Sequence, residues 1–121
     1  VVPMAVAVVK NEYGEVLIHR RPEKGLLAGL WEFPGFEISR DGNKMQQLLK
    51  LLEETYGVKA ELNRRLRNIQ HVFTHLKWEL AIYEGILTGS VKESDILKFV
   101  TIGDLEKYPF PVSHQKIIQS L

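Results

Sequence analysis

Asn43 to Val58 reads NKMQQLLKLLEETYGV. Met45, Leu48, Leu49, Leu52 and Tyr56 recur at three- and four-residue spacing, which lays one apolar stripe along a helix. Asn43 offers a side-chain oxygen to the first free amides, and Gly57 suits the left-handed residue that ends such a helix. The spacing predicts a helix over Lys44–Tyr56. Glu53 and Glu54 fall outside the stripe and read as charges that solvate the helix.

Working outward, the flanks read as strands. MAVAVVK, Met4 to Lys10, is an apolar run rich in valine, as expected of a strand buried on both faces. NEYG then makes a turn, and EVLIHR, Glu15 to Arg20, returns as the second arm of a hairpin. RPEKGLLAGLWEFPGFE is punctuated by Pro and Gly, a loop with a short extended piece at Trp31–Phe33. After the helix, VKAEL reads as a short strand. Ile69 to Leu87 reads as extended, yet it is far longer than a usual strand of about 5–6 residues. A reversal therefore falls inside it, at Phe73–His75. LKFVTI reads as a last strand and GDLEKY as a helical turn, and Ser113 as the cap of a final helix, HQKIIQSL. Mixed strands and helices place the chain in the α/β (α+β) class, with a mixed β-sheet flanked by helices.

Bulk properties narrow the function. The 121 residues suffice for one core and not two, so residues 1–121 read as a single domain. With 0 cysteines, disulfides and thiolate metal sites are excluded, and a reducing cytoplasmic setting is expected. The opening apolar run is too short to cross a bilayer, and no membrane partner is expected. Sixteen basic and 15 acidic residues leave a formal charge of +1, so charge alone does not hold nucleic acid. The chain starts as a strand and without Met, and it reads as part of a longer protein.

LWEFPG, Leu30 to Gly35, followed by an amphipathic helix ending EETYGV, resembles a Nudix domain. The hydrolases of that family carry three carboxylates at i, i+3 and i+4, on one helix face, to hold Mg²⁺ against a diphosphate. Laid on this sequence without gaps, those positions fall on Leu51, Glu54 and Thr55, and the preceding Arg on Lys50. Leu52, Gly57 and Val58 match the family box, whereas its first Gly and first Glu fall on Phe36 and Gly42. A shift by one residue recruits Glu53, but puts Lys50 in a ligand position and loses Gly57. The expectation is a Nudix-like fold with no metal site and no catalytic residue of its own.

GLWEFPG, HVFTHLKWEL and FPVSHQK together resemble the C-terminal domain of adenine DNA glycosylases, the MutY family. The resemblance runs from Val2 to the last helix. It implies a domain that recognises 8-oxoguanine opposite a mispaired adenine in double-stranded DNA, for a catalytic N-terminal domain of the same chain that excises the adenine. It also implies a [4Fe-4S] cluster in that N-terminal part, and none here. The family's Phe-Ser-His reading loop corresponds to Phe73, Thr74 and His75, with Thr in place of Ser. His71 and Lys77 stand as accessory DNA contacts.

The chemistry of the lesion suits such a loop. Guanine N7 is an acceptor in the major groove. Oxidation at C8 turns N7 into an N–H donor and adds a carbonyl, so a hydroxyl can accept from the former and a backbone amide donate to the latter. An aromatic ring can stack at the base step, and a histidine can reach a phosphate. Taken alone, Phe73 and Trp78 read as core, Arg64–Arg65 as a solvated loop, and His114 and Gln115 as a helix start. Arg20, Arg21 and Lys24 form a second basic group with no decisive pattern. The alternative function is an active Nudix hydrolase on an oxidised nucleoside triphosphate.

Overall fold

A computed structural model describes all 121 residues. Nine-residue β1, Val2–Lys10, is its centre. Ala5 to Val9 are each no more than 1% exposed, because the strand is covered on both faces. Val6 and Val8 point into one apolar layer with Phe33, Trp78, Leu80 and Ile82. Ala5, Ala7 and Val9 point into another with Leu48, Leu52, Ala81 and Tyr83. The alanines are short enough to let a helix lie close to the sheet.

Around β1 the chain lays down β2 (Val16–Arg20), β3 (Trp31–Glu32), β4 (Gly35–Glu37), β5 (Ala60–Arg65), β6 (Ile69–Val72), β7 (Lys77–Leu87) and β8 (Leu97–Val100). The order is β3-β2-β1-β7-β5, with β4 on β1, β6 on β7 and β8 on β2. β1 and β7 pair in parallel from Val2 opposite Trp78 to Lys10 opposite Ile86, while the other ladders are antiparallel. Parallel neighbours need a long crossover, and this one contains α1 (Lys44–Tyr56). β5 crosses β7 through a bulge between Leu62 and Arg64. Gly85 is required beside it, since a Cβ there would lie 2.1 Å from the Glu61 carbonyl oxygen.

Helix α1 has the expected bounds: Asn43 accepts from the Gln46 amide, and Gly57 closes it at φ 68°. The reversal within Ile69–Leu87 also falls where expected, between β6 and β7, with Phe73 and Leu76 bonded through their backbones. Three local expectations are corrected. Ser113 is not a cap: α2 spans Val112–Gln119, Pro111 takes the N-cap position, and Ser113 turns inward and is buried. Arg64–Arg65 is not a loop but the end of β5, where Arg64 reaches Glu84 at 4.0 Å and Arg65 lies 4.9 Å over the Tyr83 ring. The loop after β2 holds two short strands rather than one piece, because Gly35–Glu37 adds to the free end of β1.

Candidate functional site

The hairpin that joins β6 to β7 has only two residues, Thr74 and His75, at its tip. Two-residue hairpins usually have Gly or Asn at positive φ. Here neither position is glycine and neither has positive φ. Both side chains are exposed at the end of the sheet. Behind the tip stands an aromatic group: the Phe73 ring is edge-on to His71 at 4.5 Å and to Trp78 at 4.9 Å. Phe73 is thus half-buried against the apolar layer, and Trp78 is buried within it. Lys77 pairs with Val72 at the base of the hairpin. The five sequence-predicted residues, His71, Phe73, Thr74, His75 and Lys77, therefore share one short hairpin, three in its strands and base and two at its tip.

Under this hairpin lies a charged network that the sequence reading missed. Glu32 is 8% exposed on β3. One of its carboxylate oxygens accepts from Arg21 Nη1 at 3.0 Å, and the other lies 3.2 Å from His19 Nδ1. A carboxylate only accepts, so that nitrogen carries a proton. The Tyr56 hydroxyl is 3.2 Å from the same nitrogen. Burial pushes the Tyr56 hydroxyl up to about 12, and the Glu32 charge adds to this while Arg21 opposes it, so the phenol stays neutral. Arg21 in turn lies 5.9 Å over the Trp78 ring, which links the network to the aromatic group behind the tip. The sequence signal was a lone acid in the apolar run LWEFP, which has to be paired if it is to be buried.

Helix α2 supports the same face. His114 is buried, and its Nδ1 accepts from the Phe33 amide at 3.1 Å. Burial pushes its imidazole down to about 4, with Arg21 and His71 lowering it further and Glu32 opposing them. It is therefore neutral at pH 7 and fixes the Phe33 backbone next to Glu32. His71 is also held below its ordinary value, first by burial and then by Lys116. Ser113 Oγ is buried with no hydrogen-bond partner, one of the few such groups a native fold tolerates.

Helix α1, whose last residue Tyr56 reaches the Glu32 network, is the helix on which Nudix hydrolases hold their cation. Gln47, Lys50, Leu51 and Glu54 line a small depression there. Leu51 packs against the apolar layer, and the Lys50 ammonium lies 3.8 Å from Glu54. Glu53 points instead towards Lys59, at 3.9 Å. Mg²⁺ needs several oxygen donors in near-octahedral array. One carboxylate already neutralised by its own lysine does not meet that need, and no three acidic or histidine side chains cluster anywhere in the chain. These residues do not fit the metal.

The NUDIX domain family matches residues 5–120. An adenine DNA glycosylase of Rattus norvegicus is 35% identical over 86 residues, which are 68% of this chain and 16% of that protein. The chain thus spans about one-sixth of that relative's length. An 8-oxo-dGTP diphosphatase of Buchnera aphidicola is 26% identical over 98% of this chain and 89% of that enzyme. The C-terminal domain of mouse MUTYH, solved in complex with human PCNA, superposes with a TM-score of 0.77 and 24% identity, over 97% of this chain and 84% of that one. No helix is long and apolar enough to cross a membrane.

Proposed function

The chain belongs to the Nudix family, and on that premise we propose that it is a lesion-reading rather than a hydrolytic member. It serves as the 8-oxoguanine-recognition domain, the C-terminal part of a longer adenine DNA glycosylase. The observation that carries this reading is the β6–β7 tip. The Thr74 hydroxyl is exposed there, beside a free His75, on a two-residue turn backed by Phe73 and Trp78. A hydroxyl so placed accepts from the N7–H that only the oxidised base offers. His75 and Lys77 suit phosphates, and Phe73 supplies an aromatic edge at the base step. The relatives support both branches of the family, and helix α1 favours this one, since its ligand positions hold Leu51 and Thr55.

The test is binding of 8-oxoguanine:adenine and guanine:adenine duplexes by the chain. Thr74→Val keeps the shape and removes the acceptor, which leaves a donor unpaired at a cost of about 1–3 kcal/mol. Preference for the lesion is expected to fall about tenfold, with Thr74→Ser close to the parent. An unchanged ratio between the two duplexes would sink the assignment. A second reading, hydrolysis of an oxidised nucleoside triphosphate, draws on the 98% of this chain aligned with the Buchnera 8-oxo-dGTP diphosphatase. Mg²⁺-dependent turnover of 8-oxo-dGTP, lost in Glu54→Gln, would replace the first reading with this one.

A further inference from the structure

A second feature opens at the same end of the sheet, on the face covered by α1. Arg40, Lys44, Asn68 and Glu79 line a cleft of about 250 Å³ whose floor is Pro3 and Ala81. Arg40 donates to the Val1 carbonyl at 2.6 Å and has no carboxylate within 4.0 Å; nor has Lys44. Asn68, which lines the cleft, is bonded to the Arg65 guanidinium.

Lys44 is the more telling of these. It occupies the first turn of α1, which has no acidic residue, although the positive end of a helix favours acids and disfavours lysine. The helix end itself is already capped by Asn43. The fold thus gains nothing from this charge, and helix stability argues against it. Residues that break a local rule without structural compensation concentrate at sites of function.

Resting on the lesion-reader reading above, we infer that this cleft is a second DNA contact, which takes a backbone phosphodiester through Arg40 and Lys44. The spacing fits. β7 rises about 3.3 Å per residue, so Glu79 lies about 7 Å along the strand from Lys77 at the hairpin base. From the cleft to the tip is therefore about 14 Å, or about four base steps of 3.4 Å along a strand. A duplex across this end of the sheet meets the tip with a base edge and the cleft with a phosphate a few nucleotides away. The paired set of charges also explains how a chain of net charge +1 can hold DNA: the cations are gathered where the backbone passes. Glu79 faces the same cleft and opposes the anion, which keeps this contact weak without the lesion contact beside it.

The experiment is fluorescence anisotropy with an 8-oxoguanine:adenine duplex from 25 to 200 mM KCl, on the 121-residue chain. For the double variant R40Q/K44Q, the slope of log K against log salt is expected to become shallower by about 2, one for each lost phosphate cation. R40K/K44R keeps the parent slope, and Glu79→Gln tightens binding at every salt concentration. Affinity falls equally for lesion and undamaged duplexes, so the preference ratio stays where Thr74 sets it. A slope unchanged in R40Q/K44Q overturns the inference. So does an Arg40-dependent shift of the ³¹P resonance of inorganic phosphate with an unchanged duplex slope, which makes the cleft a free-anion site. Loss of lesion preference in Thr74→Val, together with an unchanged slope in R40Q/K44Q, supports the tip and rejects the cleft. A changed slope with no lesion preference in the parent keeps the cleft and rejects the reader.

Discussion

Helix α1 and the hairpin end of the sheet treat their polar residues in opposite ways. On the outer face of α1 the charges settle their own accounts, Lys50 with Glu54 and Lys59 with Glu53, all well exposed to water. Beneath the hairpin, Glu32 is buried between Arg21 and His19, His114 is buried neutral, and Ser113 Oγ has no partner. Its tip is a two-residue turn without glycine. Where polar groups satisfy one another in solvent, folding explains them and little is left over for function. Where they are buried at some cost, or exposed for no structural benefit, something else has kept them. By that criterion the outer face of α1 reads as scaffold, and the hairpin end is where the proposed lesion contact draws its support.

The strongest challenge to this contrast is Glu32→Ala, which leaves Arg21 and His19 without their carboxylate. Breaking a mostly buried ion pair costs about 4 kcal/mol. Urea denaturation is expected to show the midpoint falling with an unchanged slope; a loss below about 1 kcal/mol would mean that the network behaves as surface charge, like the pairs of α1.

Slightly smaller is the effect of pH through His114. Its folded value is about 4, against an ordinary 6.5 in the unfolded chain. Between those two values the unfolded state binds a proton that the native state refuses, so stability is full above pH 6.5 and is lost as pH falls towards 4. The loss is about 3 kcal/mol over that window. Thermal melts across it check the sign. His114→Gln, which retains an acceptor for the Phe33 amide, should flatten the profile. A parent whose melting temperature is level from pH 7 to 4.5 would remove His114 from the network.

The smallest expected effect is at the other pole. Glu53→Gln combined with Glu54→Gln should change stability by no more than about 0.5 kcal/mol, the scale of exposed pairs. Lesion preference should not move. A marked change in either would show that the outer carboxylate face of α1 is more than scaffold.

Legibility in the sequence followed the same division. The bounds of α1 could be read because its apolar spacing, its Asn43 cap and its Gly57 stop all agree. The reversal at Phe73–Leu76 could be read only from length, since no glycine marks it and one strand cannot run from Ile69 to Leu87. Local pattern makes Ser113 a cap, because serine usually is one; the packing of α2 that turns it inward is not something local pattern reports. By local pattern Arg65 is a solvated charge, because its partner ring, Tyr83, is brought to it only by the β5–β7 ladder. The Glu32 network and the Arg40–Lys44 cleft were illegible for the same reason. Each closes only when segments remote in sequence come together, Glu32 with His19, Arg21 and Tyr56, and Arg40–Lys44 with Asn68 and Glu79, and periodicity speaks only for neighbours.

The parallel ladder of β1 with β7 has a consequence for how the chain reaches this shape. Val2 finds its parallel partner only at Trp78, so one edge of β1 stays unpaired until β7 is in place, although β2 and β4 join the other edge from closer in sequence. Closing so long a loop comes before any reward from the pairing, which makes folding slow compared with proteins built from local contacts. Until then, Met4 to Val9 is an apolar segment with one open edge, the kind that pairs with other chains. The hairpin and α1 can form from local contacts, but the β1–β7 ladder closes late. Substitutions along β1 should therefore show first in refolding yield and soluble expression, before they show in the affinity of the finished domain.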